Sequence, residues 1–184
     1  ENHLSIPTWI MIKVVNFSTF INILKNSKMS VTHSICYLYD ITDEKELPNV
    51  KLLIGSLHWL RKIRNACAHN ERIFSLKQKE IDQKPNTGRI KEKYIKQLSK
   101  SYSRESEKRL FDLLVYFKYY LPDKEYKNMI EEIQTKLEKI KGLLQPNAFD
   151  NIRGQMGIKN LEDLEILKNL PKKEIKYHLI DKEK

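Results

Sequence analysis

Glycine is scarce here: there are 5 in 184 residues, none in a Gly-x-Gly-x-x-Gly or Walker pattern. A backbone cradle for nucleotide phosphates is therefore unsupported. Cysteine is scarcer still. Cys36 and Cys67 both fall on apolar helical faces, which predicts buried, reduced thiols in a cytosolic protein rather than a disulfide. No Cys/His cluster has zinc spacing, no paired acidic motif marks a nuclease metal site, and His58 and His69 do not form an i,i+4 ligand pair. Neither a metal nor another cofactor is expected. No apolar run reaches the roughly 18 residues of a membrane span. The N-terminus lacks a basic region leading into an apolar core and cleavage site. Export and a membrane partner are not expected, and a cytoplasmic location is. Internal repeats, low-complexity tracts and strand-like alternation are missing as well, so the class expected is all-α.

What is present is helix and positive charge. Hydrophobic residues make up 40% and charged residues 32%, the balance of a soluble globular protein long enough to bury a core. The formal charge of +10 is unevenly spread. Residues 77–109 hold 11 basic against 5 acidic side chains, more than half of the excess, whereas residues 110–184 hold 14 against 13. No basic helix with a bulky apolar face accompanies this asymmetry. It points to a polyanion, nucleic acid before membrane.

Pro7 suits the first turn of a helix over 7–25, where its missing N–H costs nothing. That helix is apolar nearly all round, which places it at the centre of the domain or in a subunit interface. A second helix is expected over 30–40. Asn49 is a good N-cap for a third, over 50–72. Residues 75–101 are Lys-rich around a Pro85-Asn86-Thr87-Gly88 turn. There Arg89, Lys91, Lys93, Lys96, Lys100 and Arg104 interleave with Tyr94 and Tyr102. A charge run is ordinarily a solvated loop and helix, but adjacency to helix 50–72 favours an RNA-contacting flap that uses phosphate contacts and stacking. Helix 104–120 stops at Pro122. Asp123 is expected to cap a further helix that Gly142 ends, and the two should pack as an antiparallel pair on helix 50–72. Past Pro146 the pattern weakens. Asn160 and Asp163 look like a capping box for a short helix, 161–169, ended by Pro171, and a charged tail follows.

The stretch that stands out is 57–74. Leu53, Leu57, Leu60, Ile63 and Cys67 recur at the spacing of one buried face, and Arg64 falls within that stripe. Arg61, Asn65, His69 and Arg72 form a separate polar row. A guanidinium among leucines needs something anionic or polar to meet it.

Arg64, Asn65 and His69 resemble the HEPN ribonuclease motif, in which an Arg, often with a polar residue directly after it, precedes a His by a few positions. The longer string Leu-x-x-Leu-Arg-x-x-Arg-Asn-Ala-Cys-Ala-His-Asn-x-Arg resembles the signature of the AbiD/AbiF-type abortive-infection proteins of bacteria. So do Pro7-Thr8-Trp9 and Phe17-Ser18-Thr19, where that family usually has Gly at the Ser18 position. Met156-Gly157-Ile158 is a fainter echo, so the resemblance runs from about residue 5 to about residue 160. It implies a HEPN-like helical bundle over 1–145 with a basic loop/helix insertion at about 75–104, and a short helix with a charged tail over 146–184. Related proteins carry a sizeable segment before the Pro-x-Trp element. With Glu1 in place of Met, a fragment and a naturally short relative both stay open.

RNA carries its own nucleophile, the ribose 2′-OH. His69 suits proton transfer, since imidazole titrates near neutrality. Arg64 suits the phosphate, because a guanidinium stays protonated and forks onto two oxygens. Asn65 is placed to orient the imidazole, and Arg61, Asn70 and Arg72 to grip flanking phosphates. On an unbroken helix Arg64 and His69 point about 140° apart. Either the helix bends near Ala68, or two copies converge; HEPN nucleases resemble the second case, so the family implies a homodimer. The expected function is a metal-independent endoribonuclease of anti-phage defence, with RNA as partner and an antitoxin or small RNA as a further one. Its rivals are a non-catalytic RNA-binding module and a toxin whose helices bind a host protein. Arg64 and His69 also have structural readings, the histidine as a satisfied helix end and the arginine snorkelling or bridged to Asp40 or Glu71.

Overall fold

Asn16 opens the first helix, α1 (Phe17–Asn26), by accepting a hydrogen bond on its Oδ1 from the Thr19 N–H at 2.9 Å. The computed structural model describes residues 15–43, 45–77 and 109–170, and the earlier part of the helix expected over 7–25 lies outside them. Within α1, Ile21 and Leu24 are buried while Ile23 and Lys25 face solvent, so this part is one-sided rather than apolar all round.

α2 (Met29–Leu38) ends in a left-handed turn at Asp40, φ 53°. There the Ile41 N–H bonds the Cys36 carbonyl at 2.8 Å and the Asp40 N–H bonds the Tyr37 carbonyl at 3.2 Å. This is a Schellman closure, with Ile41 returned to the core at 0% exposure.

α3 (Val50–Ala68) begins at Asn49, whose Oδ1 accepts from the Leu52 N–H at 3.0 Å, as expected of that N-cap. Its 19 residues span about 28 Å at 1.5 Å per residue. Leu52, Leu53, Ser56, Leu57, Trp59, Ile63 and Ala66 are buried. The helix was expected to run to 72 and instead stops at Ala68. The reason is a second Schellman closure. Asn70 takes φ 53°, and the Glu71 and Asn70 N–H groups bond the Ala66 and Cys67 carbonyls at 2.9 and 3.2 Å.

The helix at the centre is α4 (Leu110–Tyr120). Phe111, Leu113, Leu114, Val115, Tyr116 and Tyr119 are all buried, with Asp112 and Lys118 among them. Burying charges here requires partners. Asp112 hydrogen-bonds Tyr116. The Lys118 ammonium lies 3.4 Å from the Leu167 carbonyl and 4.5 Å above the Tyr126 ring. Tyr120 and Ser56 share a 2.6 Å hydroxyl pair that fastens α4 to α3.

α5 (Asp123–Leu143) packs on α4, and α6 (Pro146–Met156) and α7 (Glu162–Asn169) pack on α5. α3 meanwhile packs on α1, α2 and α4. Asp123 proves to be the first helical residue, pairing with Lys127 at 2.7 Å rather than capping. Gly142 does not end α5, which runs one residue further; Pro146 then disfavours helix in the residue before it. α6 was not anticipated, although Pro146 at its start and Gly157 at φ 78° after its end are recognisable signals. The Asp163 carboxylate accepts from the Asn160 N–H at 3.0 Å, half of the expected capping box. Phe149, Met156, Ile158, Leu164, Leu167 and Leu170 join the same buried cluster as the earlier helices. Among the described residues there is no strand, only a Thr42–Pro48 bridge, and the fold is an all-α bundle.

Candidate functional site

The last turn of α3 carries the residues that the sequence singles out. In that turn the buried face narrows to Ile63 and Ala66. Arg64 and Cys67 lie at angles that upstream belong to buried leucines, yet both reach solvent. Cys67 was expected to be buried and is exposed, because the helix end projects past the core. Cys36 is buried, and burial pushes its thiol up to about 11.

Asn65, His69, Asn70, Glu71 and Arg72 are exposed, and Arg61 is half-buried. Arg64 donates from Nη1 to the Asn65 Oδ1 at 3.0 Å, so it takes its neighbour rather than Asp40 or Glu71. Asn65 thus gives its side chain to the guanidinium and its main-chain carbonyl to the His69 N–H, also at 3.0 Å. His69 stands at the helix end itself (φ −100°, ψ 11°), followed by the left-handed Asn70. The helix runs without interruption to Ala68, and among the described residues no hydrogen bond joins the His69 imidazole to Arg64. Arg72 comes after the turn, outside the helical row expected for it. Beyond it Ile73 and Phe74 pack back against the core. The segment 69–72 is therefore a solvent-facing loop pinned at both ends.

Arg61 is held differently. Its Nη1 donates to the Ser18 Oγ at 3.0 Å, from α3 across to α1. Sequence reasoning did not identify Ser18 as a partner; its only signal was its place in the Phe17-Ser18-Thr19 element. Next to Arg61 lies His58, half-buried, both of whose ring nitrogens are buried without a hydrogen-bond partner. Desolvation first, then the charges of Lys25 and Arg61, hold its pKa below the usual histidine value. Lys62 lies 5.3 Å over the Trp59 ring and reaches the Lys77 carbonyl. Arg89, Lys91, Lys93, Lys96, Lys100 and Arg104 fall outside the described residues. Among the described residues no group of three or more His, Cys, Asp or Glu could hold a metal ion, and no helix is long and apolar enough to cross a membrane.

Residues 1–75 match a family model described as Abi-like protein. This span is similar to that family. The match takes in α1, α2, α3 and the 69–72 loop, while α4 to α7 lie beyond it. No curated protein and no solved structure matches the chain. The Abi-like span thus coincides with the exposed Arg/Asn/His tip and the Ser18–Arg61 contact.

Proposed function

We propose that this protein is an Abi-like endoribonuclease that acts in abortive infection, with the end of α3 as its active surface. The observation that carries the reading is the joint exposure of Arg64 and His69 within the Abi-like span. A side chain that must meet a phosphodiester cannot be consumed by its own core. In the reaction, the ribose 2′-OH attacks the adjacent phosphorus and the 5′-oxygen leaves. His69 transfers the proton, and Arg64 meets the charge that develops on the phosphoryl oxygens. Products are a 2′,3′-cyclic phosphate and a 5′-hydroxyl, and DNA is inert for want of the 2′-OH. These groups suffice without a metal.

Within one chain the two side chains diverge by about 140° of helical winding. Two copies that bring α3 tips together would place His69 of one beside Arg64 of the other, so a homodimer belongs to the proposal. Arg61, Asn70 and Arg72 then contact flanking phosphates, and the basic 77–109 segment adds salt-dependent affinity. A second reading, a non-catalytic RNA-binding module, is favoured by one observation. Arg64 is already hydrogen-bonded to Asn65 rather than poised towards His69.

The deciding experiment incubates the purified protein with end-labelled RNA in EDTA and identifies the product ends. Cyclic-phosphate ends that vanish in His69→Ala and Arg64→Ala support the nuclease. Intact RNA that is nevertheless bound supports the module.

A further inference from the structure

The geometry points to Ser18 as a positioning residue that aims Arg61 at a nucleic-acid phosphate without taking its charge. This rests on the RNA reading above and adds to it how that surface is kept cationic. Guanidinium groups at folded surfaces commonly meet carboxylates, and this protein does so elsewhere: Arg153 pairs with Asp150 at 2.9 Å. On α3 the choice is the opposite. Arg61 is hydrogen-bonded by a neutral hydroxyl and Arg64 by a neutral amide, both at 3.0 Å. Among the described residues neither has an ion-pair partner.

The distinction has a physical consequence. A carboxylate fixes a guanidinium but cancels the field that an incoming phosphate would feel. A hydroxyl accepts one N–H, restricts the long side chain, and leaves the full positive charge and the other donors of the fork available. The contact also crosses 43 positions of sequence, from α1 to α3, so it orients Arg61 against a separate packed element rather than against its own flexible helix end. Arg61 and Arg64 are one turn apart, their Cβ atoms about 5–6 Å from one another. They make a pair of uncancelled cations beside the His69 loop. His58, beside Arg61, takes no hydrogen bond from it, since both of its ring nitrogens are without a partner.

The test uses the full chain and a fluorescein-labelled 2′-O-methyl oligouridylate, which no 2′-OH attack can cut. Ser18→Asp keeps Arg61 in place but neutralises it. An acidic residue in the first turn of α1 also suits the helix dipole, so this variant should melt no lower than wild type. Its affinity for the probe should nonetheless fall about tenfold at low salt, and the slope of log K against log salt should drop by about 1. Ser18→Ala should lie between Ser18→Asp and wild type, and Ser18→Thr, which retains the hydroxyl, should restore wild-type binding. A purely structural Ser18 would make binding follow melting temperature across the three variants, and that pattern overturns the proposal. So does Ser18→Asp binding with unchanged affinity and salt slope. Wild-type protein that does not bind the probe at all would remove the RNA reading and this proposal with it. A bound probe with unaffected variants removes only the proposal.

Discussion

At the end of α2 the chain turns through Asp40 and sets Ile41 in the core, and at the end of α3 it turns through Asn70 and leaves Glu71 and Arg72 in solvent. The two backbones are alike: each has a left-handed residue and the same pair of hydrogen bonds to the last turn. Gly157 closes α6 in the same way, with Ile158 buried at 1%. What differs is the residue after the turn. An apolar one anchors the helix end to the bundle, as is common in this motif. A polar one closes the helix just as well but keeps the loop outside. The α3 end thus has a defined backbone and solvent-facing side chains, which is what a binding surface on a rigid element requires.

The comparison can be broken or sharpened by substitution. The largest effect should come from His69→Ala, which on the nuclease reading removes proton transfer and lowers RNA cleavage about 10²–10⁴-fold. Its melting temperature should hardly move, because the side chain is exposed. Lost cleavage that merely tracks lost stability would make the α3 end a structural terminus like that of α2. Next, Ile41→Ala should destabilise by about 2–5 kcal/mol in urea unfolding, while Glu71→Ala should stay within about 0.5 kcal/mol. Equal costs would erase the distinction between the two ends. Asn70→Val should cost about 1–2 kcal/mol, since a branched side chain resists the left-handed turn, and Asn70→Gly should be neutral or slightly stabilising.

A pH effect should be smaller. His58 has its folded pKa lowered, by burial and then by Lys25 and Arg61. The unfolded chain therefore binds this proton more readily than the native one. Stability contributed by the neutral imidazole is complete above about pH 6.5 and is lost as pH falls from there towards the lower folded value. Urea melts at pH 7.5 and 5.5 should show this loss, and His58→Leu should reduce it. The mildest readout is thiol chemistry. In the native state a disulfide-exchange reagent should titrate one thiol, Cys67, with Cys36 reacting only on unfolding.

Helical class, the Asn49 cap and the start of α3 were legible, because caps and 3.6-residue periodicity are local properties. The end of α3 was not. Periodicity continues through Arg72, and whether Asn70 enters a left-handed turn depends on whether the following Ile73 and Phe74 find the core. Cys67 shows the same limit, since its angular position is right for burial and only the extent of the core beneath it leaves it exposed. In α4 the charged Asp112 and Lys118 are buried, because Tyr116, Tyr126 and the Leu167 carbonyl supply partners from along and across the bundle.

By itself the sequence determined that the chain is helical, that its positive charge is concentrated, and that Arg64, Asn65 and His69 follow one another near a helix end. Tertiary structure alone decided that all three meet solvent and that Arg61 is held by Ser18. A helical period records the direction in which a side chain leaves the axis, whereas burial and hydrogen bonding depend on what another element places in that direction, as Ser18 does for Arg61.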